Sequence, residues 1–248
     1  MAKKGKSSRA SESGAAAPKY PNSPLAEVVF EIRFPGEPAV ECHRDEFFGL
    51  IRKEFPNVWV PNAEPGKPMS MQPYHFKSVD GTETAMVAIN TFAYATRKYG
   101  GFESFRPRAL ALAEKFCKLY KIEKLNRTGL RYINVIPFLR EGAMLPWKRY
   151  FTVELTLPAT SADDFLNANL AFESRCKAGV ITTRIRCAKT EEESREVFVL
   201  DFDFSKTESL TAKKLGTYID ESHTHTKKVF EGILSESYEA VMRGEVIE

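Results

Sequence analysis

Only four cysteines occur in the 248 residues, Cys42, Cys117, Cys176 and Cys187, and no two form a CxxC pair. That disfavours a disulfide-stapled scaffold and a zinc ribbon, both of which need close, recurring thiol spacing. Cys42 adjoins His43, but a second ligand pair at a fixed short spacing is missing, so reduced structural thiols and no metal are expected. Histidine is also scarce. His223 and His225 stand two apart in a helical stretch, where side chains diverge by about 200° and do not chelate one ion together. His75, in QPYHF, has no Ser or Cys elbow motif beside it. No apolar run approaches the roughly 18 residues of a membrane helix. The basic N-terminus leads into Ser, Glu and Ala rather than an apolar signal core, so the expected compartment is the cytoplasm, without membrane contact.

A net excess of charge is nearly absent from the body of the chain. The formal net charge is +3, from 36 basic and 33 acidic side chains. Residues 1–19 hold Lys3, Lys4, Lys6, Arg9 and Lys19 against Glu12 alone, which leaves 31 basic and 32 acidic side chains for the rest. A basic site on the folded body is therefore a local patch, not a global field. Residues 1–19 are small, polar and aperiodic and read as a disordered basic tail. With 43% apolar and 12% aromatic residues, the remainder has ample material for a core.

Periodicity supplies the architecture. In EVVFEIRF (27–34), Val28, Phe30, Ile32 and Phe34 alternate with charged positions, the mark of a half-buried strand. Residues 43–55 carry Phe47, Leu50, Ile51 and Phe55 at helical spacing and stop at Pro56. The turn-rich stretch 62–68 precedes two alternating runs, 69–78 and 85–97, with Asp80-Gly81 as the hairpin signal. Pro107 is expected to open a second helix over 107–121, and 127–138 is the next strand. This order, β-α-β-β-α-β, is that of a split-βαβ or ferredoxin-like unit. The second half partly repeats it: a strand at 150–157, a short helix at 163–171, a hairpin of 179–188 with 196–204, and a long amphipathic helix ending near Met242 with Gly244 as its C-cap. The expected fold is α+β, two such units with mainly antiparallel sheets, divided as a tail at 1–19 and halves at 20–140 and 141–248, the second forming one compact unit with the first.

The motifs YPNSPLAEVVFEIRF (20–34), YGGFESF (99–105) and RTGLRYIN (127–134) resemble a sporadically distributed bacterial protein family of about this length without an established activity. The resemblance covers 20–243 and implies bacterial origin and patchy inheritance, as for a mobile or defence locus. It implies no catalytic residue.

The most suggestive local feature is RKYGGFESFRPR (97–108), between a strand and a helix. Gly100 and Gly101 permit close backbone approach, Ser104 is a candidate cap, and Arg97, Lys98, Arg106 and Arg108 cluster at a helix N-terminus, which attracts anions. Arg127 and Arg131 share a strand face and extend the patch, with Tyr99, Phe102 and Phe105 available for stacking on bases. The competing reading has those aromatics plugging the core and Glu103 neutralising an arginine. Asp201 and Asp203 share a strand face, and Arg184 and Arg186 alternate likewise on the expected partner strand, with Arg184 counted as diagonal to Asp201, so ion pairing is preferred over metal binding. The expected function is that of a non-enzymatic accessory protein, a protein-interaction or adaptor module without a cofactor, binding a protein partner or itself. The alternative is RNA or a phosphorylated small ligand held by the basic patch.

Overall fold

The computed structural model describes residues 20–60, 73–140, 142, 145–152, 168–190, 194–208 and 210–245. The basic tail at 1–19 and the loop at 62–68 lie outside the described residues. The strands in chain order are β1 (Leu25–Arg33), β2 (Asn57–Trp59), β3 (Tyr74–Lys77), β4 (Glu83–Ala88), β5 (Thr91–Thr96), β6 (Lys124–Leu125), β7 (Arg127–Pro137), β8 (Asn169–Cys176), β9 (Gly179–Lys189), β10 (Glu196–Lys206) and β11 (Leu210–Thr211). The helices are α1 (Pro38–Cys42), α2 (Arg44–Ile51), α3 (Phe102–Leu119), α4 (Trp147–Tyr150), α5 (Leu215–Ile233) and α6 (Glu236–Met242).

Nine strands form one sheet in the order β2-β3-β4-β5-β1-β7-β10-β9-β8, with every neighbouring pair antiparallel. The expectation of an α+β fold with antiparallel pairing and a long C-terminal helix holds. Two ferredoxin-like units are not what forms: β10 pairs with β7 along residues 197–206, so the second half extends the first half's sheet as a β10-β9-β8 meander. A small second sheet joins β11 to β6.

Strand alternation sorts side chains between the two faces of the sheet. Val28, Phe30 and Ile32 of β1, Leu130, Tyr132 and Ile136 of β7, and Phe198, Leu200, Phe202 and Phe204 of β10 are buried on one face. The helices pack there and complete two adjoining cores. Phe116 of α3 centres the first, with ring centroids 4.9 to 5.6 Å from those of Phe34, Phe47, Phe92 and Tyr120. Phe198 centres the second, against Phe138, Trp147, Tyr150 and Phe151. The other face bears Glu31, Arg127, Arg131, Asp201, Asp203 and Arg184.

Several expected elements divide. The helix expected at 43–55 shortens to α2, and an unexpected α1 precedes it, started where the Glu37 carboxylate accepts from the Ala39 amide and separated from α2 by the non-helical angles of His43. The run 85–97 folds back on itself as β4 and β5, the carbonyls of Ile89 and Asn90 at the turn accepting from the amides of Glu37 and Phe34. α3 begins at Phe102 rather than Pro107, which lies inside the helix. The expected strand at 150–157 is replaced at its start by the end of α4, and residues 153–157 lie outside the described residues. Of the short helix expected at 163–171, residues 163–167 are likewise outside, and Asn169 to Ala171 are strand, paired with β9. The C-terminal helix breaks at Ser235, whose hydroxyl caps α6 by accepting from the Tyr238 amide, and Gly244 follows α6 at φ 82°, as a C-terminal cap requires. Among the described residues no helix is long and apolar enough to cross a membrane.

Candidate functional site

The sheet separates the basic residues of 97–131 into two groups. Arg127 and Arg131 project from β7 on the face opposite α3, since Leu130 and Tyr132 between and beside them point into the helix-covered core. Arg127 donates to Glu31 of β1 at 2.7 Å and to both oxygens of Asp203 of β10 at 2.8 Å, bridging three strands. Its side chain runs over Gly129, where an added Cβ would stand 2.4 Å from Nη1, so glycine leaves the trough it occupies. Arg131 holds both oxygens of Asp201 at 2.7 and 2.8 Å, and Arg184 reaches the same carboxylate at 3.5 Å. The ladder places Arg184 directly opposite Asp201 rather than diagonal to it, and Asp203 pairs with Arg127 rather than with Arg186. Both aspartates are engaged in ion pairs, and the pairing of Arg184 with Asp201 is the one the sequence suggested.

Near the start of α3 the remaining arginines also have partners. Arg106 grips Asp220 of α5 through two bonds of 2.5 and 2.8 Å. Arg108 lies over the Phe55 ring, donates to Glu83 at 3.2 and 3.3 Å, and pairs with Glu54, whose carboxyl it holds below its ordinary range. Arg97 donates to the Gly81 carbonyl at 2.7 Å and Lys98 is exposed beside it. Ser104 does not cap the helix: its hydroxyl donates back to the Gly101 carbonyl at 2.9 Å. Gly101 sits at φ 103°, a backbone conformation that favours glycine, and an added Cβ on Gly100 would stand 3.1 Å from Ser104 Oγ. Bidentate arginine–carboxylate pairs are among the stronger charge-assisted contacts, so an incoming phosphate must displace a carboxylate from Arg106, Arg127 or Arg131.

The three aromatics are used internally. Phe105 is buried and stacks on Tyr94, and Tyr99 meets Tyr132 edge-on at 6.0 Å. Phe102 lies flat on His223 of α5, centroids 3.8 Å apart and planes 5° from parallel. His223 Nδ1 is 2.8 Å from the Tyr132 hydroxyl. Burial first, and Lys227 second, push the imidazole from 6.5 down to about 4. The unfolded chain therefore takes up a proton near 6.5 that the folded ring refuses until about 4, so stability is expected to fall as pH drops through that window. A pKa unit is worth about 1.4 kcal/mol, and partial exposure discounts the total to the order of 2 kcal/mol. Urea titrations of wild type and His223→Phe at about pH 7 and about pH 4.5 test this: the variant is expected to lose this part of the pH dependence, and an unchanged slope contradicts the assignment.

Sequence reasoning passed over the sheet edge at β2. Val58, Trp59 and Val60 are 47%, 46% and 41% exposed. Trp59 lies against His75 with centroids 4.7 Å apart, and Lys77 Nζ stands 5.7 Å from the centre of the Trp59 ring. Burial, and then Lys77, lower the proton affinity of His75. The available signal was the apolar triplet Val58-Trp59-Val60 between Pro56 and Pro61. The carboxylate partners of Arg106, Arg108, Arg127 and Arg131 left no such trace, being 25 to 114 residues away.

No protein-family model matches the sequence, and no curated protein matches it. Among the described residues no group of three or more His, Cys, Asp or Glu is placed to hold a metal ion.

Proposed function

We propose that this chain is a protein-interaction module that docks an extended segment of a partner protein along β2. The observation that carries the reading is the exposed Val58-Trp59-Val60 run on and just after a terminal strand whose outer side has no neighbour among the described residues, since a free edge pairs with added strands and an exposed tryptophan is a preferred binding anchor. Lys77 beside the Trp59 face selects the chemistry of the segment, an apolar side chain against the indole next to a carboxylate. The role is that of a non-catalytic accessory protein, in the bacterial mobile or defence setting that the 20–34 motif resembles. The alternative, RNA or a phosphorylated ligand on the 97–131 arginines, is less favoured because Arg106, Arg108, Arg127 and Arg131 already hold carboxylates.

Selection from a displayed random-peptide library on the immobilised full chain tests the reading. Selected peptides are expected to combine an aromatic or aliphatic residue with an adjacent acid, and to bind Trp59→Ala about 30-fold more weakly or worse. Equal binding to wild type and Trp59→Ala overturns the proposal. So does an acidic selection lost only in Arg127→Ala or Arg131→Ala, which would favour the anion reading instead.

A further inference from the structure

β8 is the opposite terminal strand of the sheet, and Ala171, Phe172, Glu173, Ser174 and Arg175 on it are all exposed. Among the described residues nothing pairs with its outer side. It has eight residues and contains neither proline nor lysine, the usual devices that blunt an edge.

The hydrogen-bond parity of this edge is determined. Cys187 donates its amide to the Ala168 carbonyl at 2.9 Å, and the β8–β9 register continues without a break from Asn169 opposite Arg186 to Cys176 opposite Gly179. In an antiparallel ladder the N–H and C=O of a residue point the same way and alternate between neighbours. Even-numbered residues therefore bond to β9, and Asn169, Ala171, Glu173 and Arg175 offer their backbone groups outward. A second strand on this edge must pair odd-numbered residues of β8.

We infer that β8 pairs with β8 of a second copy of this chain, antiparallel about a two-fold axis at Ser174. This register puts Glu173 opposite the partner's Arg175 and Arg175 opposite the partner's Glu173, with both outward-bonding pairs in phase. Lys177, exposed in the following turn, falls diagonal to the partner's Glu173 and adds a second attraction. On the helix-covered side, Phe172, 43% exposed in the single chain, lies opposite the partner's Cys176. Registers centred on Glu173 or Arg175, which the parity also allows, set like charges directly opposite each other, and one centred on Phe172 leaves Glu173 opposite Ala171 and Arg175 opposite Asn169, with no charge pair. The two-fold keeps the helices of both copies on one side, so the two sheets merge into one. This surface is at the far side of the sheet from Trp59, and either inference stands if the other fails.

Sedimentation velocity on the full chain at concentrations on the order of 50 µM reads the result directly. Wild type is expected to sediment at twice its 28.1 kDa mass. Glu173→Arg and Arg175→Glu each face a like charge across the axis and are expected to weaken the dimer at least about tenfold, while the double variant E173R/R175E restores most of it because both directly opposite pairs merely change sign and only the diagonal Lys177 attraction is lost. Rescue by the double variant rules out lost folding as the cause. A wild-type chain that stays monomeric over this range, as happens if another segment of the same chain covers the edge, overturns the inference. So do single variants as dimeric as wild type.

Discussion

Replacing Phe198 by alanine is expected to cost about 3–5 kcal/mol of folding stability, the usual range for removing a fully buried ring from a packed core. The ring touches Phe138, Trp147, Tyr150 and Phe151, which come from α4 and from the residues just after β7 and α4, so no single neighbour collapses into the space. Phe116→Ala is expected to cost as much in the other core, where four rings surround it. The more informative expectation concerns cooperativity. Because β7 and β10 pair across the junction of the two halves, each variant should lower one common transition rather than one of two. Urea unfolding followed in parallel by tryptophan fluorescence and far-ultraviolet circular dichroism checks this. Separate transitions, with only one shifted by Phe198→Ala, would mean that the shared sheet does not couple the cores.

Gly179→Val is expected to destabilise at or above the upper end of the roughly 1–3 kcal/mol typical of overpacking. A Cβ at position 179 would stand 2.3 Å from the Ser205 carbonyl oxygen and 3.0 Å from the Phe204 ring. The carbonyl belongs to the β10 backbone, opposite Val180 in the ladder, so relief requires moving a strand rather than turning a side chain. The same Cβ test gives a different answer at Gly129, where the obstacle is the end of the Arg127 side chain. There the cost is loss of the bonds to Glu31 and Asp203, and Gly129→Ala should be milder than Gly179→Val in the same urea assay. Equal effects would mean that β10 yields more easily than its hydrogen bonds suggest.

The predictable parts of the molecule are those where one side chain's fate depends on its immediate neighbours. The alternation in 27–34 and 127–138 identified β1 and β7 and correctly divided Leu130, Tyr132 and Ile136 from Arg131 and Ile133, because a strand's two-residue repeat is a local property. The end of α6 at Gly244 was legible for the same reason. Boundaries failed where a distant or unusual cap intervened, as when Glu37 started α1 or Ser235 divided α5 from α6. The division of the basic residues was hidden for a different reason. Six cationic side chains within 35 residues looked like one surface, yet alternation along β7 sends Arg127 and Arg131 to the far side of the sheet, away from Arg106 and Arg108.

Composition and periodicity by themselves determined that this chain folds as α+β around aromatic-rich cores, which of its strand residues are buried, and that its body carries almost no net charge. Only the tertiary structure decided that both halves share one sheet, that Glu31, Glu54, Asp201, Asp203 and Asp220 engage the arginines, and that Trp59 and Glu173 lie on opposite terminal strands. The physical reason is range: periodicity records which way a side chain points from its own backbone, whereas strand order and ion-pair partners depend on which distant segment the chain closure brings alongside.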